Sequence, residues 1–171
     1  MADMYVQASF TFRCSSDEWA LLDEANRASA HLMRDEEGEP PSADFLHVFP
    51  PSNGHDLWSG YRDIFADGDF PDLGADITGG PLRDASDARG DLWEVWFTGM
   101  AGFQPGAIAQ LILACCKSSL AVEPFGFEWA YSCSKSRIGE FGGGWCAIIA
   151  DRIEMESTSQ ALDAALRAGI I

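Results

Sequence analysis

Apolar residues recur in this chain with two different periods, and the order of these periods limits the folds that it can adopt. In residues 4–13 every second residue is apolar, which predicts a strand with one buried face. Residues 15–33 place apolar residues three and four positions apart, as on one side of a helix. Ser15 followed by Glu18 is a capping-box pattern, which marks the start of that helix. We therefore expect a helix whose apolar stripe packs on the buried face of a sheet.

The same succession of strand and helix patterns returns in the second half of the chain. Alternation of apolar residues predicts strands, and a proline before an apolar stripe predicts a helix, because proline is favoured in the first helical turn. The predicted elements are a strand over 92–98, a helix over 105–120, strands over 125–131, 145–150 and 153–156 with a turn at Asp151 and Arg152, and a short terminal helix that begins near Ser157 and ends at Gly169.

The middle of the chain has weaker patterns. Acidic residues and a proline pair predict an exposed loop over 35–44. Residues 45–49 are a candidate for a short strand, and residues 56–65 for a brief helix. Residues 67–90 are rich in Asp and Gly, which predicts a long surface excursion without regular structure.

Together these elements predict an α+β fold. A mainly antiparallel sheet carries two core helices on one face, as a variant of the ferredoxin-like arrangement, and a short C-terminal helix follows. A length of 171 residues suits a single domain. We expect residues 1–171 to form one domain with an acidic, loop-rich insertion at about 35–91.

The composition is typical of a folded, soluble protein. Hydrophobic residues make up 47% of the chain, which excludes disorder over most of its length. No apolar run approaches the roughly twenty residues of a membrane span, and the first residues lack a secretory pattern, so the expected compartment is the cytoplasm. The five Cys residues include no C-x-x-C pair. We therefore expect buried thiols and neither a disulfide framework nor a zinc site.

Negative charge is concentrated in one third of the chain. Fifteen Asp and Glu residues and three Arg residues lie between Asp35 and Glu94, and the whole chain has a formal net charge of −16. This excess repels nucleic-acid phosphates and acidic membrane surfaces, and it attracts basic proteins. We expect no direct contact with nucleic acid or membrane, and a basic protein surface as the partner. The alternative is a solvated face that only maintains solubility.

Two patterns with catalytic or metal-binding chemistry remain alternatives. Ser132 and Lys135 form a Ser-x-x-Lys string, but the hydrolases that use it carry further motifs that are absent here. His31, His47 and His55 could join nearby Asp residues around a transition metal, because imidazole and carboxylate are suitable ligands. The histidine spacing does not by itself predict a shared site.

Two further patterns could bind small ions. Asp67, Asp69, Asp72 and Asp76 offer carboxylates for calcium, but the Gly and Glu positions of the helix–loop–helix motif do not match. Residues 142–144 are three glycines that could cradle an anion through backbone N–H groups. The structural alternative for these glycines is a bulge or a close backbone crossing.

The stretch Gly126-Phe127-Glu128-Trp129-Ala130, with Cys133-Ser134, Arg137 and Phe141-Gly142-Gly143-Gly144 after it, resembles a small family of proteins encoded on bacterial plasmids and phages. The resemblance covers about twenty of the 171 residues and implies a mobile-element origin and a shared hairpin core. It implies no catalytic residue. Small acidic proteins of such elements are often antagonists of host defence, including anti-CRISPR and anti-restriction proteins.

These observations predict a non-enzymatic interaction protein without a cofactor or metal. It would bind and inhibit a host nucleic-acid-handling defence complex by competing with nucleic acid or with subunit assembly. The alternatives are a metal-dependent enzyme that uses His47 and His55, and a small-ligand module with a pocket around Trp129 and Trp145. The predicted partner-binding residues are Asp35, Glu36, Glu37, Glu39, Asp67, Asp69, Asp72, Asp76 and Trp96.

Overall fold

A computed structural model describes residues 3–36, 38–82, 91–135 and 137–168. The described residues form six strands and six helices. The strands are β1 (Met4–Ser15), β2 (Asp76–Pro81), β3 (Leu92–Gly99), β4 (Phe125–Cys133), β5 (Gly142–Ile149) and β6 (Arg152–Ser157). The helices are α1 (Ser16–Leu32), α2 (Ala43–Val48), α3 (Ser59–Arg62), α4 (Pro105–Cys115), α5 (Lys117–Val122) and α6 (Thr158–Ala168).

All six strands belong to one antiparallel sheet with the order β2-β3-β1-β4-β5-β6. The succession β1, α1, β2, β3, α4, β4 is the strand–helix–strand pattern of the ferredoxin-like arrangement, which the hairpin β5–β6 extends at one edge. The prediction of an α+β fold with a mainly antiparallel sheet is confirmed.

The central strand β1 divides its pairing between two neighbours. It pairs with β4 only from Met4 to Gln7 and with β3 from Ala8 to Ser15. Where the β1–β4 ladder ends, Phe10 stacks between Phe97 of β3 and Phe127 of β4, with ring centroids 4.9 and 4.5 Å apart. Aromatic packing therefore joins the two parts of the sheet where backbone pairing does not.

The helices α1, α4 and α5 pack on one face of the sheet. Leu22 of α1 and Ile108, Leu111 and Ile112 of α4 are fully buried there, as the helical spacing predicts. The alternate residues of the strands point to the other face, where Ser9, Thr11, Thr98, Glu128 and Ala130 are exposed. We call this second face the open face.

The predicted helix over 105–120 is two helices that meet at Cys116. The backbone of Cys116 leaves the helical region, at φ −115° and ψ 36°, so the first N–H groups of α5 lack partners within their own helix. The buried Glu18 carboxylate accepts hydrogen bonds from the amides of Ser118 and Ser119, at 2.8 and 3.0 Å. The same carboxylate completes the predicted capping box with Ser15.

The predicted strand over 45–49 is wrong, because residues 45–48 belong to helix α2 and Phe49 is its C-cap. Ser42 caps that helix by accepting a hydrogen bond from the amide of Phe45. Phe45 and Phe49 are both buried, and their separation of four positions fits a helical face as well as an alternating strand. The apolar pattern over so short a segment could not distinguish the two.

Three other expectations need correction. The brief helix over 56–65 is shortened to the four residues of α3. The excursion over 67–90 contains edge strand β2, and its residues 83–90 lie outside the described part of the chain. In the last hairpin Arg152 pairs with Ile149, so the turn consists of Ala150 and Asp151.

Candidate acidic binding surface

Polar side chains of helix α1 contact the acidic middle segment, by which we mean the described residues between Asp35 and Glu94. The Glu24 carboxylate accepts hydrogen bonds from the amide and the hydroxyl of Ser42, both at 2.7 Å, at the start of α2. The side-chain amide of Asn26 donates to the carbonyl of Ile77 in β2 at 3.2 Å. These contacts hold two distant parts of the segment, at Ser42 and at Ile77, on one helix.

Tyr61 of α3 is the central anchor of the segment. Its hydroxyl donates to the carbonyl of Ala25 at 3.0 Å and lies 2.7 Å from the hydroxyl of Ser29, and all three groups are buried. Burial raises the pKa of the Tyr61 phenol well above its ordinary value. The ring packs against a cluster of aromatic side chains, namely Phe45, Phe49, Trp58 and Phe65.

Carboxylates from separate parts of the segment meet at the C-terminal end of α1. They line a groove of about 620 Å³ that also contains the exposed side chains of Met33 and Phe70. We call it the acidic groove, and its four acidic residues are Asp35, Asp56, Asp63 and Asp69. The groove brings together acidic residues up to 34 positions apart in the sequence.

The cations near the acidic groove are already engaged. Arg62 forms an ion pair with Asp56 at 3.1 Å and donates to the carbonyl of Gly68 at 2.7 Å. Within the described parts of the chain, Asp35, Asp63 and Asp69 form no ion pair. Arg62 lines the groove as well, but its ion pair is with Asp56, so three of the four carboxylates have no ion pair within the described residues.

The predicted partner-binding acids are placed unevenly around this groove. Asp35 and Asp69 line it directly. Asp72 and Asp76 line a neighbouring depression that shares Met33 with the groove. The other predicted acids lie outside both: Glu36 is 3.8 Å from Arg34, Asp67 accepts the amide of Asp69, Glu39 lies beside His31 and Trp58, and Glu37 is outside the described residues.

Trp96 lies on a different surface from these acids. Strand register places it between Thr11 and Thr78 on the open face, where its side chain is 41% exposed. Helix α1 packs on the opposite face. Helix α6 contacts β5 and β6, the two strands at the far edge of the sheet from Trp96. Trp96 is therefore exposed and free to contact a partner, but it does not belong to the acidic groove.

In the described residues, the three histidines of the metal alternative do not form a shared site. His47 and His55 are exposed on α2 and in the loop before α3, and His31 packs against Trp58. The group that does assemble is Cys14, Glu18 and Cys116, all buried, with one potential ligand atom of each within 4.8 Å of the others.

This Cys14, Glu18 and Cys116 cluster does not fit a metal. Both oxygens of Glu18 already accept hydrogen bonds, from the amides described above and from the hydroxyl of Ser119. Burial raises the pKa of the Cys116 thiol well above its ordinary value, which disfavours the thiolate that a metal requires. We interpret the cluster as a buried helix cap.

The glycines at 142–144 have a structural role. A Cβ atom at Gly142 would lie 2.5 Å from the Tyr131 hydroxyl, and one at Gly144 would lie 2.4 Å from the Trp129 ring. The two rings on β4 therefore require the absence of side chains on β5. The amide of Gly143 donates to the hydroxyl of Thr158 at 3.2 Å, which leaves it unavailable for an anion.

The three remaining alternatives, a pocket between two Trp residues, a calcium site and a Ser-x-x-Lys pair, are not supported by the positions of their residues. Trp129 lies half-buried on the helix-covered face and Trp145 lies on the open face, so they cannot line one pocket. The calcium alternative is not supported either, because Asp67 and Asp72 accept hydrogen bonds from amides within their own turns, at 3.1 and 2.8 Å. The Ser132 and Lys135 side chains form no hydrogen bond with each other in the described structure.

Comparisons with protein-family descriptions, curated proteins and solved structures gave no match. The resemblance of residues 126–144 to plasmid and phage proteins therefore stays a prediction. Within the described ranges, no helix has both the length and the apolar character needed to cross a membrane.

Proposed function

We propose that this protein is a non-enzymatic, acidic inhibitor that occupies a basic, nucleic-acid-binding surface of a host defence complex, with a CRISPR effector as the leading candidate. It would act in the cytoplasm of a bacterium that carries a mobile genetic element. The observation that supports the proposal is the acidic groove, where four carboxylates from distant positions converge beside a single arginine, Arg62, which pairs with Asp56.

The physical basis is competition by charge and shape. Like charges placed together on a folded surface repel each other, so a partner with positive charge relieves that repulsion when it binds. Asp35, Asp63 and Asp69 offer three carboxylates along one folded surface, as a nucleic acid offers successive phosphates. Met33 and Phe70 add apolar contact area beside them. The net charge of −16 would also accelerate association with a basic surface.

The test is a competition assay with purified CRISPR effector complexes and labelled target DNA. We expect the protein to displace DNA from at least one effector in low salt, and to lose this effect as salt screens the charges. A variant with Asp35→Lys, Asp63→Lys and Asp69→Lys should no longer compete. The proposal fails if no effector loses DNA, or if this variant competes as well as the original protein.

A matched control separates the groove from net charge. Glu123, Asp151 and Asp163 are exposed and lie outside the acidic groove. Reversing these three charges to Lys changes the net charge by the same amount as the groove variant. We expect this control to compete almost as well as the original protein, whereas equal loss in both variants would show that only total charge matters.

A further inference from the structure

Strand register places an exposed tryptophan between two glutamates on the open face. Trp145 of β5 lies directly opposite Glu128 of β4 and Glu156 of β6. Side chains directly opposite in neighbouring antiparallel strands have Cβ atoms about 4.5–5.5 Å apart. Trp145 is 38% exposed, so its ring is accessible with a carboxylate on each side.

Neither glutamate has a cationic partner within the described residues. Glu128 and Glu156 form no ion pair there. The arginines of the open face are engaged elsewhere, because Arg13 pairs with Glu94 at 3.7 Å and Arg152 with Glu154 at 2.8 Å. The two carboxylates beside Trp145 are therefore available to an external cation.

A shallow groove adjoins this row of side chains. It follows the line where the β1–β4 ladder ends, has a volume of about 620 Å³, and includes Glu128 at its edge. Its lining includes Ser9 and Gly126 together with atoms of Phe10 and Phe127. The groove thus offers apolar contact next to a carboxylate, which suits a side chain that is apolar along its length and positive at its end.

We propose that Trp145, Glu128 and Glu156 bind an arginine side chain of a protein partner. A guanidinium group stacks on an indole ring and has N–H donors along its edge that can reach carboxylates on two sides. A lysine ammonium is a compact charge and lacks this planar fork. The site goes beyond the proposed function, since it lies on the open face and does not include the acidic groove.

The test uses the peptide acetyl-Gly-Arg-Gly-amide, which carries a single positive charge and so avoids general attraction of polybasic chains. Its binding is followed by NMR through the indole N–H signal of Trp145 and the backbone amides of β4, β5 and β6. We expect saturable shifts centred on Trp145. The peptide with citrulline, a neutral analogue of arginine, should give no saturable shift, and the lysine peptide should bind at least about threefold more weakly.

Two variants complete the experiment. Glu128→Gln with Glu156→Gln keeps the size of the side chains and should abolish the saturable shift. Glu123→Gln with Asp163→Asn removes the same charge from exposed positions elsewhere and should leave the affinity within about twofold. Glu128 is exposed and Glu156 is half-buried, and both substitutions keep the size of the side chain, so we expect both variants to fold, which the dispersion of their amide signals reports.

Three results would overturn the inference: shifts centred away from Trp145, equal response to the arginine and lysine peptides, or unchanged affinity in the Glu128→Gln and Glu156→Gln variant. None of these results bears on competition with DNA at the acidic groove. Failure of the proposed function and failure of the arginine site can therefore be distinguished.

Discussion

Tyr61 is the residue through which the acidic segment depends most directly on the core. Replacing it by Phe removes the hydroxyl and leaves the Ser29 hydroxyl and the Ala25 carbonyl without this buried partner. We expect Tyr61→Phe to lower the free energy of unfolding by about 1–3 kcal/mol, measured by urea denaturation. Tyr5→Phe is the control, since the hydroxyl of Tyr5 has no hydrogen bond in the described structure. Equal stability of both variants would contradict the importance of this anchor.

The buried thiols and phenol predict a loss of stability at alkaline pH. Burial raises the pKa of Cys115 and Tyr61 above their ordinary values of 9.0 and 10.0, and that of Cys146 to about 11. These groups stay protonated in the folded state while the unfolded chain loses their protons. Their stabilising contribution is therefore complete below about pH 9 and declines as the pH rises through the folded-state values. The urea concentration at the unfolding midpoint should therefore decrease as the pH is raised from 8.5 to about 10.5. A midpoint that does not change with pH would contradict this prediction.

Single residues also show where sequence reasoning reaches its limit. The pattern of Ser15 and Glu18 correctly predicted a capping box. It could not predict that the same carboxylate accepts the amides of Ser118 and Ser119, because that contact spans a hundred positions. The sequence indicates Trp145 only as a pocket residue beside Trp129, whereas strand register shows that it lies between two glutamates.

Among the elements, α6 is the one that contributes least to the core. All of its described residues are exposed, including Leu162 and Leu166 at 59% and 58%. We expect Leu162→Ser to change the free energy of unfolding by less than about 0.5 kcal/mol. The contrasting variant Leu111→Ala, at a fully buried position of α4, should lose about 2–5 kcal/mol. A large loss for Leu162→Ser would show that α6 packs more tightly than the structure indicates.

Elements with long, clear periodicity were predicted well, and short ones were not. Helix α1 and strands β1, β3 and β4 are long enough for the helical and the strand periods of apolar residues to be distinguished. Residues 45–49 are too few for that distinction. Strand β2 has the sequence DITGGP, whose glycines and proline are unfavourable in strands. It forms at a sheet edge, where β3 supplies the pairing partner and proline is tolerated.

At the scale of the whole molecule, excess negative charge should make stability depend on salt. A net charge of −16 creates repulsion in the compact state, which dissolved ions screen. We expect the midpoint of thermal unfolding to rise by a few degrees when sodium chloride increases from low to physiological concentration. Sodium sulfate at equal ionic strength separates screening from general salting-out. A midpoint that falls with sodium chloride would mean that internal ion pairs outweigh the repulsion.

The acidic surface was predictable in composition but not in arrangement. The sequence placed the excess charge between Asp35 and Glu94, and part of it does converge at the end of α1. The sequence could not show that Asp56 and Asp63 join Asp35 and Asp69, since that convergence depends on how Tyr61 packs on α1. Nor could it show that Trp96 and the acidic groove occupy different faces.

The divided pairing of β1 also determines how the molecule can be assembled during synthesis. This strand precedes both of its neighbours in the chain, because β3 and β4 come from the later part of the sequence. Its edges therefore stay without partners until residue 99 and then residue 133 have been translated. Because so many contacts join distant parts of the chain, the folding rate should be closer to that of sheet-rich domains than to that of helical bundles.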